Sequence, residues 1–381
     1  MQTQFVAGLS PVILSSDTAV TRTPPRAVKD RQPDYMDNFD HDTLFYDVYE
    51  MPGQLALSGP PLRNLKSVVD VAKLEAYGSP IRRRAAFKDG WKTQRSSLPV
   101  DEMIQKCAPV ASFRITAGWL DVSVPIQKNH SDTFAGKKVL FTMSKDNDLE
   151  WMYQWAEFHA KVHGVDAVLL YDNNSTRYTP QEILSTLASV DGIDAVVVVP
   201  WSYRYGPGPG PKKQWDSNYC QYSMIEHARR RFLALAAAAV NLDIDELVVS
   251  EDGVSMFDHL AAEKSGAIRF SGRWVETVDG ARDGSPRFID FSYVDSRRDR
   301  SLEKWAAVPA AIPYENQWQV HGFGGGFEPP IVHDLKHRHF RGINYNWKYD
   351  RTNVDPLEPD FHSVDAALVR SMEQVGWARQ Q

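Results

Sequence analysis

Apolar and polar positions along this chain follow two grammars, and the change falls near Lys137. Before it, short β-favouring segments (TLFYDVYE, GQLALSG, RRAAFKDGW and ASFRITAGWLDVSVPI) are punctuated by Gly and Pro, as in a small β-rich module. After it, apolar strands alternate with helical periods. KKVLFTMS reads as a buried-type strand. Asn147 then stands as a helix N-cap with Glu150 three residues on. Leu149, Met152, Tyr153, Ala156 and Ala160 keep helical spacing, and Gly164 closes that helix. AVLLYD (167–172) is a second strand, and Thr179-Pro180-Gln181-Glu182 opens a second helix with its own capping box. IDAVVVVP (193–200) is a third strand. A long helical stretch follows from about 216 to 239, and Asp243 to Val249 forms the fourth strand. Such alternation predicts βαβ units and a mostly parallel sheet.

Residues 1–40 carry Ser, Thr, Pro and charge with little periodicity, which predicts a flexible lead-in. The expected division is therefore a flexible segment (1–40), a β-rich accessory module (41–135), an α/β domain (136–345) and a C-terminal extension (346–381).

Length and composition narrow the function classes. The 381 residues leave room for two or three domains. A formal charge of -6, from 43 basic and 49 acidic residues spread along the chain, offers no footprint for nucleic acid. Cys107 and Cys220 are too few for a disulfide framework or a zinc ribbon and point to a reducing compartment. The longest apolar run, Phe232 to Val240, is half the ~18 residues a membrane span requires. With no signal-peptide pattern at the start, the expectation is a cytoplasmic protein without a transmembrane segment, peripheral membrane contact remaining open.

The candidate chemistry begins at AAAAVNLDIDELVV (236–249), where an apolar run meets Asp243 and Asp245. Carboxylates are costly to bury, so something must compensate two of them. On a strand, residues i and i+2 share a face, so the pair would project together with Ile244 turned away. A divalent cation, Mg²⁺ or Mn²⁺, would relieve their repulsion and complete its shell with phosphate oxygens. A bare D-x-D is more often just the solvated end of a strand; here it follows a buried strand in an α/β region. Asp172, within Tyr171-Asp172-Asn173-Asn174-Ser175-Thr176, also falls at a strand's carboxyl end, where ligands of parallel sheets bind. The short donors and acceptors of that cluster could hold a base and ribose, or could simply make a turn.

Taken together, "FTMSKDNDLEWMYQWAEFHAKVHGVDAVLLYDNNST" and "NLDIDELVV" resemble GT-A glycosyltransferases. The closest group is glycosyltransferase family 92 or its family-2-like relatives, also called DUF23-type. The likeness covers about residues 137 to 345; Lys145-Asp146-Asn147-Asp148 stands where Lys-Asn-Glu is usual. The resemblance implies an α/β GT-A fold: a Rossmann-like, mostly parallel sheet preceded by the β-rich module. It further implies a metal-dependent transferase moving a sugar from a nucleotide-diphosphate donor, first of all a UDP-sugar, to a saccharide or lipid-linked acceptor. Asp243 and Asp245 would hold Mn²⁺ or Mg²⁺ on the diphosphate, with Asp243 also near the ribose. Asp172 and Asn174 would sit by the base and ribose.

In IVHDLKHRHFRGINYNWKYDR, His339 is the implied late metal ligand, with His321 as rival, and Arg338 or Arg341 would contact the diphosphate. The same residues also read as a basic strand and loop. In FSGRWVETVDG (270–280), where this family builds its acceptor side, Glu276 and Asp279 are candidate bases and Trp274 a sugar platform. GFGGGF (322–327) opens no helix and reads as a loop; YGPGPGPKKQW (205–215) reads as a spacer that would bring Lys212 and Lys213 near phosphate. Two other readings stay in play: a metal-dependent phosphohydrolase or nucleotidyltransferase using the same acids, and a non-catalytic carbohydrate-binding protein.

Overall fold

The computed structural model describes residues 3–18, 20–81, 87–107, 110–211, 215–278, 285–298, 300–345 and 353–377. Its centre is a nine-stranded sheet. In chain order its elements and the helices flanking it are β1 (Thr3–Val6), β2 (Lys138–Ser144), α1 (Leu149–His163), β3 (Ala167–Asp172), α2 (Pro180–Ala188), β4 (Ala195–Pro200) and α3 (Tyr219–Arg231). There follow β5 (Ala238–Asn241), β6 (Glu246–Ser250), α4 (Met256–Ala262), β7 (Ala267–Val275), β8 (Ser301–Ala307), β9 (Ile331–Phe340) and α5 (Ala366–Val375). The spatial order is β1-β4-β3-β2-β5-β8-β7-β9-β6. From β1 to β5 every pair is parallel; beyond β5 the pairing is antiparallel except between β7 and β9. The run β4-β3-β2-β5 is the first half of a doubly wound sheet, and its order reverses at β2.

Both faces of the parallel strands are covered, which is why they are apolar at successive positions. Leu140, Val168, Leu170, Val196 and Val198 pack against Trp151, Met152 and Trp155 of α1 and against α2 and α5. Their neighbours Val139, Phe141, Leu169, Tyr171 and Val197 point the other way onto Met224, Ile225 and Ala228 of α3. Local signals hold where they were strong. Gly164 ends α1 in the left-handed conformation (φ 69°), and the Thr179–Glu182 capping box opens α2 with Pro180 at its start. At α1 itself the cap is Asp148, not Asn147, whose side chain bonds Ser144 instead.

Two elements depart from the sequence reading at the place that matters. The helix expected over 216–239 stops at Arg231, and Ala238–Asn241 becomes β5. Alanine prefers helix, but the open edge of β2 takes Ala238 opposite Lys138 and Val240 opposite Leu140. The fourth strand does not run from Asp243 to Val249. Asp243–Glu246 is a tight turn, the Glu246 amide donating to the Asp243 carbonyl at 3.1 Å, and a separate strand begins at Glu246. Asp243 and Asp245 therefore do not share a strand face, since period-2 alternation does not apply across a turn.

The first forty residues also differ from expectation. Thr3–Val6 adds a strand to β4, and Arg22 is buried against Asp40 and the carbonyl of Pro61. The β-rich segment holds a three-stranded sheet (Asp47–Met51, Gln54–Gly59, Gln94–Pro99) and a four-stranded one that includes Ser112–Ala117. Buried Asp47 joins it to α3, accepting from His227 at 2.9 Å and Arg231 at 2.8 Å.

Candidate functional site

A cleft of about 700 Å³ opens beyond the carboxyl ends of β2 and β5, where the strand order reverses. Ligands of open α/β sheets bind at this position because loops from oppositely directed crossovers part there. Its floor is the Asp243–Glu246 turn with His339; Ser144, Lys145 and Asn173 form one wall, and Trp215, Tyr222 and Trp274 bring aromatic faces.

One of the two carboxylates after the apolar run, Asp243, meets a lysine from the protein itself. Lys304, on β8 and fully buried, places its ammonium 3.0 Å from Asp243 Oδ2 and 2.9 Å from Glu246 Oε2. Burial by itself would depress the lysine, yet Asp243 and Glu246 hold it above its ordinary value. Burial pushes the Glu246 carboxyl up to about 7 against the pull of Lys304. The Asp243 amide donates to Glu246 Oε2 at 2.9 Å, so one oxygen of Glu246 is anchored twice. Nothing near DIDE in sequence announces Lys304, whereas Glu246 directly follows the Asp243-Ile244-Asp245 motif.

Asp245 faces the cleft and meets His339 Nε2 at 3.1 Å, so β9 does deliver His339 to the turn. Trp274 of β7 stacks on the His339 ring with centroids 4.1 Å apart. His321 also lines the cleft, with Nδ1 against the Glu303 carbonyl at 3.0 Å. Lys92, from the β-rich segment, enters the cleft as well. Its ammonium bonds the Trp215 carbonyl and Asn218 Oδ1, and burial lowers it to about 8.

Several expected residues do not meet the turn. Arg338 alternates with His337 and His339 on β9, so it points to the opposite face, where Asp365 takes its Nε at 2.6 Å. Arg341 bonds Glu276 at 2.6 Å and Asp355 at 3.0 Å, in a second cavity of about 420 Å³ with Arg298, Arg300 and Trp274. Glu276 is buried beneath that pair, also reached by Arg298 at 3.2 Å, and is closed off from the cleft as a base. Asp279, Lys212 and Lys213 lie outside the described residues.

Asp172 is buried and accepts the Ser175 amide at 3.2 Å, while burial raises its carboxyl pKa; its neighbour Asn173 is the one that lines the cleft. Asn174 is exposed in a left-handed conformation (φ 61°), its carbonyl taking Lys145 Nζ at 2.6 Å. The unusual Lys145–Asp148 loop is thereby explained locally. Asp146 Oδ1 accepts the Thr176 amide at 2.6 Å and the Arg177 amide at 3.2 Å, clamping the two loops together.

No protein-family model matches the sequence, and no curated protein does. Among solved structures, the chain resembles the mannosyltransferase Ktr4p from S. cerevisiae over 38% of its length and 40% of that chain, with 12% identity and a TM-score of 0.24. It resembles galactosyltransferase LgtC, solved with donor and acceptor sugar analogs, over 62% of its length and 95% of that chain, with 12% identity and a TM-score of 0.28. Both neighbours are glycosyltransferases. Among the described residues, no helix is long and apolar enough to cross a membrane.

Proposed function

We propose that the cleft binds a nucleotide-diphosphate sugar and transfers its sugar to a saccharide or lipid-linked acceptor. The observation that carries this reading is the acidic Asp243–Glu246 turn, met by His339, at the switch point of a doubly wound sheet. An acidic floor repels a bare diphosphate, so the donor would need a cation beside Asp245. The donor set there, carboxylate oxygens with imidazole nitrogens, fits a divalent ion such as Mn²⁺ or, less well, Mg²⁺. When bound, that ion would neutralise charge gathering on the departing diphosphate.

The chain's own residues do the remainder. Lys304 holds Asp243 and Glu246 in place, so the turn's shape is set before any ligand arrives. Lys92 and Lys145 bring positive charge to the cleft walls, suited to phosphate oxygens. Trp274 and Trp215 offer flat apolar faces of the kind that sugars stack on. Glu276, held by two arginines, takes no proton from the acceptor in this scheme.

Calorimetry with UDP-, GDP- and CMP-sugars, each with and without Mn²⁺, tests the reading. One nucleotide class is expected to bind only with the ion, and Asp245→Ala to weaken that binding at least roughly 100-fold, or ~2.7 kcal/mol. Binding of phosphomonoesters with no nucleotide sugar would replace the transferase by a phosphohydrolase. Binding of free glycans alone would leave a carbohydrate-binding protein.

A further inference from the structure

We infer that the cation seat of this cleft is Glu246, His337 and His339, a two-histidine, one-carboxylate set, with Asp245 orienting His339 instead of ligating. The inference deepens the transferase reading by naming the ion class, but the seat is tested without any nucleotide.

Four observations converge on it. One ligand atom from each of the three residues lies within 4.8 Å of the others. Glu246 Oε1 is 3.5 Å from His337 Nε2 and 3.6 Å from His339 Nδ1. Two donors bound at ~2.1 Å in a tetrahedral shell stand about 3.4 Å apart, so little movement is needed.

His337 is wholly buried, and neither of its ring nitrogens makes a hydrogen bond. A buried polar group left so costs ~1–3 kcal/mol, which an apolar residue at the same place would avoid. The fold makes room for this ring deliberately. A Cβ on Gly272, its cross-strand neighbour, would sit 2.2 Å from His337 Nε2.

Glu246 is aimed. Its Oε2 is anchored by Lys304 and the Asp243 amide, which leaves Oε1 toward the two histidines. His339 is aimed as well. With Asp245 Oδ2 accepting the Nε2 proton at 3.1 Å, the Nδ1 lone pair turns toward Glu246, the outer carboxylate–histidine arrangement that tunes metal ligands. Ser301 Oγ, 3.2 Å from Nδ1, can rotate its proton away.

Lys304 stands about equally near Asp243 Oδ2 and Glu246 Oε2, at 3.0 and 2.9 Å, so what singles out Glu246 is its second oxygen, Oε1, within 3.6 Å of both imidazoles. Two imidazoles and one carboxylate favour Mn²⁺, Co²⁺ or Zn²⁺ over Mg²⁺, which prefers an all-oxygen shell.

The test uses the full chain freed of metal with EDTA. Titration with Co²⁺, followed by its visible absorption bands, and with Zn²⁺, Mn²⁺ and Mg²⁺ by calorimetry, should give one equivalent for the first three and much weaker binding of Mg²⁺. His337→Leu and Glu246→Gln should each weaken Co²⁺ at least roughly 100-fold, and Asp245→Asn about 10- to 100-fold with the bands kept. If His337→Leu fails to fold by circular dichroism, the near-isosteric Glu246→Gln carries the test. Full-strength binding in His337→Leu and Glu246→Gln, with loss in Asp243→Asn, would overturn the seat, as would no binding of any of the three ions. A protein that binds Co²⁺ as expected but no nucleotide sugar keeps the seat and loses the transferase reading. One that binds none of the three ions yet binds a nucleotide sugar loses the seat and keeps a transferase that works without metal.

Discussion

Lys304→Met is expected to lower the free energy of unfolding by about 3–5 kcal/mol, the cost of breaking a buried ion pair by removing one partner. Glu246 lies wholly inside the protein and Asp243 shares its lysine, so the variant leaves a buried carboxylate with no compensating ammonium. The loss has a ceiling, because Glu246 can take up a proton instead. Burial already raises its pKa to about 7 with Lys304 present, and without Lys304 it rises further. The destabilisation should therefore be larger at pH 8 than at pH 6. Urea unfolding at both values measures this, and adding Glu246→Gln should recover at least half of the loss. A Lys304→Met protein with the parental urea midpoint would show that the ammonium does not carry the turn.

The second large effect is acid instability from three buried, neutral histidines. Burial lowers His159 to about 3, helped by nearby His163, and lowers His163 and His227 to about 4. Each ring is used in its neutral form, one nitrogen donating and the other accepting. His159 Nδ1 meets the Trp155 carbonyl at 2.7 Å while the Val248 amide donates to Nε2 at 3.2 Å. His163 Nε2 meets the Val248 carbonyl at 2.8 Å while the Met256 amide donates to Nδ1 at 3.1 Å. His227 bridges Tyr171 at 2.8 Å and Asp47 at 2.9 Å.

The folded state thus stays neutral while an unfolded chain takes protons near pH 6.5, so the stability these rings contribute is whole above pH 6.5. It is lost as pH falls from there toward about 4. Each ring accounts for ~1.4 kcal/mol per pH unit across that window, so three together approach ~4 kcal/mol per unit at the steepest. Summed over the three rings the loss reaches about 6 kcal/mol by pH 5, a large share of a typical total of ~5–15 kcal/mol, so the melting temperature should fall steeply between pH 6.5 and 5. Thermal unfolding at pH 7.5, 6.5, 5.5 and 5.0 checks this, and His227→Gln should remove about a third of the slope. A flat profile down to pH 5 would mean that water reaches these rings and that their burial is not what it appears from the packing.

Much of the central sheet was legible from local signals. β2, β3 and β4 are runs of apolar residues bounded by Gly, Asp or Pro, and no competing element could use them. The Gly164 stop and the Thr179–Glu182 box needed only their own backbone. AAAAV (236–240) was misread because its helix preference is a local quantity, whereas the edge of β2 that captures it is one hundred residues away in sequence (Asn241 Nδ2 donates to the Phe141 carbonyl across that same pairing). The site divides in the same manner. His339 and Asp245 were singled out and do meet; Arg338, Arg341 and Glu276 were singled out and are directed elsewhere by strand alternation and by each other's charge.

By itself, the sequence determined that an α/β sheet would form from Lys138 onward and that acidic residues would gather beyond its strand ends, since apolar periodicity and capping are written in neighbouring residues. Only the tertiary structure decided that Asp243 and Asp245 sit on a turn, that Lys304 compensates Asp243 and Glu246, and that His337 and His339 face Glu246. Those pairings join β5, β6, β8 and β9, and the interaction of two charges depends on their separation in space, which no spacing along the chain records.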